Sequence, residues 1–163
     1  MNEFKKRQKH QSKLVAKACM NFFSTGSLPW SPEICKSYYA GLSGVMYVLP
    51  AFYTPIVIEK VIWVSTAGIS CLADYVYIGY KHPIQSFDQI IATILFLRMS
   101  YLIYYNMSLL SVVKFSIAPL SCYGLATYGK KINKPNVWKT WHFFWHITSS
   151  ILAAVATYQI YNN

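Results

Sequence analysis

The alternation of apolar and polar positions divides the chain into a polar N-terminal arm, a proline-broken connector and a series of long apolar runs. The runs cover residues 37–58, 61–80, 86–105, 107–128 and 138–160. Each approaches the roughly twenty residues that a helix needs to cross a bilayer. The third and fourth are separated only by Asn106 and its neighbours. Read as one helix they would exceed about 40 residues, far beyond one hydrocarbon thickness, so a tight turn is expected there. Pro50, Pro55 and Pro119 fall inside runs, where they kink helices and are tolerated if neighbours satisfy the freed carbonyls. The connector Thr25-Gly26-Ser27-Leu28-Pro29-Trp30-Ser31-Pro32 reads as a loop, because two prolines and a glycine cannot share one helix. The expected fold is all-α: an integral membrane helical bundle of about five transmembrane helices. It forms a single domain over 37–160, preceded by a basic arm or interfacial helix over 1–24.

Composition supports that class. Charged residues make up 12% of the chain and apolar residues 55%, where a soluble domain carries about 25% charged. The 14 tyrosines and 5 tryptophans suit the two membrane interfaces, where a ring sits in the apolar zone and its polar tip meets water. A net charge of +10 raises the question of nucleic acid. Such binders spread Lys and Arg along a docking face, whereas here the positives gather in the arm and between apolar runs, so no nucleic-acid partner is expected. Four cysteines (Cys19, Cys35, Cys71, Cys122) show no ligand spacing and read as reduced packing residues. No secretory signal is expected, since Cys19–Phe23 is too short for the apolar region of one.

The basic residues also orient the bundle. With five crossings, one side carries Lys5, Lys6, Arg7, Lys9, Lys13, Lys17, Lys36, Lys81, Lys130, Lys131, Lys134 and Lys139, which is 12 of the 15. The positive-inside rule then puts the N-terminus in the cytoplasm and the C-terminus across the membrane. Four or six crossings would scatter the same charges. Within the arm, Leu14, Val15, Ala18, Cys19 and Phe22 recur at helical spacing among six positives. That pattern suits a helix lying on anionic lipid, and a disordered basic tail is the alternative.

Ionisable groups inside apolar runs are costly, so each is a functional candidate. Ser70 and Asp74 lie four apart in the second run, Asp88 opens the third, and His142 and His146 lie four apart at the start of the fifth. Spacing of four places each pair on one helix face. At a rise of about 1.5 Å per residue, Asp74 is about 9 Å and His146 about 12 Å inside the cytoplasmic end. Three runs thus aim two carboxylates and two imidazoles at one level. Two histidines and a carboxylate with a fourth position open are the ligand set of a hydrolytic zinc site. Zinc there would acidify a water and polarise a carbonyl, while the second carboxylate orients that water and the serine hydrogen-bonds the developing oxyanion. Each piece also has a plainer reading: interfacial histidines between tryptophans, a capping aspartate, a serine bonded to its own backbone. His82, in the loop, is either solvated or a competing ligand. Arg98 and Lys114 either reach towards an interface or pair internally.

The series Ser-x3-Asp on one run, Asp on the next and His-x3-His near the start of the last resembles the CREST superfamily of membrane zinc hydrolases. That group includes the alkaline ceramidases and the adiponectin-receptor-like proteins. Trp141-His142-Phe143-Phe144-Trp145-His146-Ile147-Thr148 is especially similar to the last span of alkaline ceramidases. The resemblance covers about residues 60–160. It implies zinc as cofactor, His142 and His146 as ligands, Asp88 as the water-positioning carboxylate, Ser70 as polar partner, and hydrolysis of a ceramide-like lipid amide. Two departures mark this chain. Asp74 stands where the family has a third histidine ligand, and one run rather than three separates the Asp88 and His142 helices. Losing two spans preserves parity, so the His pair still enters from the same face. Membrane lipids, as substrate and as anionic surface for the arm, are the expected partners. The rival expectation is non-enzymatic: a small multi-span protein that binds or passes protons or metal ions, or organises other membrane proteins. A structural protein whose polar residues only pair helices is the third.

Overall fold

A computed structural model describes residues 28–80 and 82–162, so the basic arm and its expected seat on anionic lipid lie outside the described residues. The described residues are all-helical and contain no strand. Short helices α1 (Pro32–Cys35) and α2 (Tyr38–Leu42) lead directly into a 3-10 helix, α3 (Ser43–Phe52). Next comes α4 (Val57–Cys71), which runs into a π-helical turn at Leu72–Val76. Three long helices complete the chain: α5 (Pro83–Asn106), α6 (Leu109–Lys131) and α7 (Pro135–Asn162).

The expected turn between the third and fourth runs is present. α5 stops at Asn106, and Ser108 caps α6 by accepting a hydrogen bond from the Ser111 amide at 3.2 Å. Helices α5 and α6 are each long and apolar enough to cross a membrane. Pro119 sits inside α6, which remains one continuous helix.

The first run departs from expectation. Residues 37–58 are not one α-helix, because α2 tightens into α3 and the helix ends at Phe52. Pro55 consequently lies in a connector, while Val57 and Ile58 open the next helix. The tighter winding has a consequence for length. Five α-residues rise about 7.5 Å and ten 3-10 residues about 20 Å, together close to the roughly 30 Å of a hydrocarbon core. Fifteen residues thereby reach as far as an α-helix of about eighteen.

α6 lies along α7, α3 packs between α4 and α7, and α5 touches α4, α6 and α7. At one end Cys35, Ile78, Ala126 and Trp138 form an apolar cluster. At the opposite end Glu59 is buried, 5% exposed. Its carboxylate accepts hydrogen bonds from Thr54 Oγ1 at 2.6 Å and from the Tyr161 hydroxyl at 3.1 Å, and pairs with Arg98. Arg98 therefore pairs internally, and Lys114 is exposed. The Glu59 cluster joins the start of α4 to the later part of α5 and the end of α7, and the apolar cluster joins the end of α6 to the start of α7, so successive long segments alternate in direction.

Side-chain placement inverts the usual pattern of a water-soluble domain. The interior holds Ser43, Thr66, Ser70, Asp74, Ser86, Asp88, His142, His146 and Ser150, with alanine supplying much of the apolar core. Val57, Val61 and Val64 on α4 point outward, as do Ile94, Leu97 and Tyr101 on α5 and Leu109, Val113 and Ile117 on α6.

Two glycines let α2 and α3 come close to the end of α4. A Cβ on Gly44 would meet Ser70 Cβ at 3.0 Å and the Cys71 amide nitrogen at 3.1 Å. One on Gly41 would meet Tyr75 Cδ2 at 2.8 Å and the Asp74 carbonyl oxygen at 3.1 Å. Backbone cannot yield as a flexible side chain does. Gly44→Val is therefore expected to destabilise the bundle by about 1–3 kcal/mol, read as a lowered thermal midpoint in detergent. An unchanged midpoint would show that α3 and α4 are free to part.

Candidate metal centre

Helix α7 contributes two of the three central residues. Trp138, His142, His146, Ser150, Ala154 and Thr157 are buried along one stripe at spacings of four and three. Phe144, Ile151, Val155 and Tyr158 face out. With bulky apolar groups turned outward, the polar stripe is turned into the bundle. Asp74 comes from the π-helical turn that ends α4. Such turns carry an extra residue per loop of helix and recur at functional sites.

His146 is wholly buried, 0% exposed, with Tyr47 and Trp145 rings at centroid distances of 5.3 and 5.0 Å. Its Nδ1 lies 2.9 Å from Ser43 Oγ. That hydroxyl has one proton, which it donates to the Ala40 carbonyl at 2.7 Å. Ser43 must therefore accept from Nδ1–H, which leaves the Nε2 of a neutral His146 as a bare lone pair. This nitrogen has no hydrogen-bond partner among the described residues and faces Asp74 Oδ2 at 3.4 Å. A lone pair set against a carboxylate oxygen in a buried site is repulsive, and a cation between the two removes the conflict. His142 Nε2 lies 2.9 Å from the same oxygen, and its ring stacks on Trp138 at 4.8 Å.

Asp74, His142 and His146 each offer one ligand atom, all within 4.8 Å of one another. Tetrahedral coordination at about 2.0–2.2 Å would draw such atoms to roughly 3.3 Å apart, so modest side-chain shifts suffice. All three residues are buried, and the group is able to hold a metal ion.

Asp88 and Ser70 stand beside this group. Asp88 lines a cavity of about 240 Å³ together with Asp74 and His142. The buried Ser70 hydroxyl lies next to the Asp88 carboxylate without completing a well-formed hydrogen bond. His82 is elsewhere: its ring nitrogen accepts from the Ile84 amide at 3.3 Å to cap α5, and the ring stacks on Tyr77 at 4.0 Å. It lies outside the Asp74, His142 and His146 group.

Sequence reasoning overlooked Ser43, which fixes the tautomer of His146. Its signal was Gly41-Leu42-Ser43-Gly44, two small residues three apart that permit close helix contact. It also overlooked the cavity wall formed by Gln85, Gln89 and Lys130. A second cavity, of about 250 Å³, shares Gln89, Tyr123 and Trp145 with the first and is otherwise lined mainly by apolar groups such as Leu95, Phe96, Met99 and Phe115. Compared with known proteins, the chain matches no family model, no curated protein and no solved structure.

Proposed function

We propose that this is a multi-pass membrane protein whose helices enclose a zinc-dependent hydrolase site for an amide- or ester-linked lipid, resembling the CREST superfamily. The observation that carries the reading is the buried His146 Nε2, whose lone pair faces Asp74 beside His142. The outward display of large apolar side chains around a polar interior supports the bilayer setting. Five crossings with a cytoplasmic N-terminus remain the topology that best explains where the basic residues fall.

Asp74, His142 and His146 would hold the ion. Two imidazoles and one carboxylate suit zinc with an open position, and zinc supplies Lewis-acid polarisation of the scissile carbonyl and a more acidic water. Asp88, on the wall of the same cavity, orients the attacking water and takes its proton. Ser70, beside the Asp88 carboxylate, offers its hydroxyl proton to the carbonyl oxygen. The adjoining cavity, lined by Leu95, Phe96, Met99 and Phe115, suits a hydrocarbon tail.

Elemental analysis of the purified protein is expected to find about one zinc per chain, with release of fatty acid from amide- or ester-linked lipid in detergent micelles. Zinc without hydrolysis of either class would reduce the site to metal binding. Iron in place of zinc would exchange hydrolysis for oxidation, since two histidines and a carboxylate also bind ferrous iron. For topology, cysteine labelling at residues 129–136 and at the C-terminus should report opposite sides. Labelling of both from the same side would refute the odd number of crossings.

A further inference from the structure

Within the metal cavity, two groups have no role in holding the ion. Gln85 is buried, 7% exposed, and its Nε2 donates to the Tyr77 carbonyl at 2.9 Å. That bond fixes the amide orientation, because a flipped side chain would set two oxygens against each other. Gln85 Oε1, left without a partner among the described residues, is a buried acceptor on a residue that lines the cavity. Lys130 enters the same wall from α6 and makes no ion pair with any described residue. The cavity thus presents one cationic donor and one orphaned acceptor beside Asp74, Asp88 and His142.

We infer that the site selects an amphiphile with an anionic headgroup and an adjacent N–H donor, of the N-acyl amino acid type, with Lys130 as the residue that determines this specificity. The inference rests on the hydrolase reading above and narrows its substrate class. The headgroup carboxylate meets the Lys130 ammonium, the amide N–H meets Gln85 Oε1, and the acyl chain continues past Gln89, Tyr123 and Trp145 into the apolar cavity. In the reaction, the water oxygen bonds to the acyl carbon and the amide C–N bond breaks. A proton passes to the departing nitrogen, giving a fatty carboxylate and a free amino acid. An anionic headgroup gives the Lys130 ammonium an ion-pair partner, which a neutral headgroup cannot, and this is why the anion is preferred.

A matched pair of probes tests this: N-oleoylglycine and N-oleoylethanolamine share chain and amide and differ in headgroup charge. The zinc-loaded full chain is expected to prefer N-oleoylglycine by about tenfold or more in kcat/KM. Lys130→Gln should narrow that preference mainly by raising KM for N-oleoylglycine, and Lys130→Arg should restore it. Zinc content should not fall in Lys130→Gln, because removing a positive charge near a cation site cannot weaken the cation's binding electrostatically. Equal kcat/KM for the two probes, or an unchanged preference in Lys130→Gln, would overturn the inference and leave the hydrolase reading standing. Cleavage of an ester-linked lipid but of neither probe overturns the inference alone; if zinc is bound and no lipid of either class is cleaved, the hydrolase reading fails instead. The anion site is then judged by quenching of tryptophan fluorescence on titration, where equal affinities for the two probes would also reject it.

Discussion

His146→Ala is expected to leave the purified protein without zinc while its helical content persists. Of the three ligand atoms, the one from this ring has no hydrogen bond among the described residues, so its lone pair is the group most in need of a cation. Without it, Asp74 and His142 remain, and they already pair with each other at 2.9 Å. Two ligands that satisfy one another hold zinc poorly, and a fall in affinity of more than about a hundredfold follows, since even losing an outer-shell partner costs 10–100-fold. Competition with a chromophoric chelator would measure it, and circular dichroism would check the fold. Because a wholly buried ring is being deleted, Ser43→Ala serves as a second variant. It preserves the ring and removes only the acceptor that holds Nδ1–H, so zinc should bind about 10–100-fold more weakly with packing intact. Full zinc content in both variants would eliminate His146 as a ligand.

Much of this site was legible because burying charge in an apolar run is costly, so the few residues that do it stand out from their neighbours. Asp74, Asp88, His142 and His146 stand out on that ground, and the structure gathers the first, third and fourth around one point with Asp88 on the adjoining wall. That Asp74, His142 and His146 share one level of the bundle was legible too, since rise per residue is nearly constant in an α-helix. What escaped the sequence depends on departures from that geometry. The 3-10 winding of α3 and the π-helical turn at Asp74 change the rise and phase of two segments, yet neither has a composition that announces it. The same limit explains Ser43. Its hydroxyl matters through a partner 103 positions away, and no local periodicity encodes such a pairing. Glu59 and Arg98 likewise gave no sign of belonging together, being 39 residues apart on different helices.

Asp88→Asn is expected to abolish most turnover while keeping the metal, the opposite of Asp74→Asn. The two carboxylates are buried in one cavity, yet only Asp74 has both imidazoles within 3.4 Å. Asparagine at position 88 is nearly isosteric and leaves Asp74, His142 and His146 untouched, so zinc should stay near one per chain. It cannot accept the proton of the attacking water, and losing a positioned base lowers rates by about 10²–10⁴-fold. Asparagine at position 74 removes the negative charge that both histidines face, so zinc should be lost and activity with it. Comparing the two variants by metal content as well as rate separates a missing base from a missing ligand, which activity alone cannot do. Should Asp88→Asn lose the metal while Asp74→Asn retains it, the two roles would be exchanged. The ion would then sit on the cavity side of the histidines, between Asp88 and His142. In that case the 2.9 Å contact between Asp74 and His142 would be an outer hydrogen bond that orients the imidazole, as carboxylates commonly do behind metal-bound histidines.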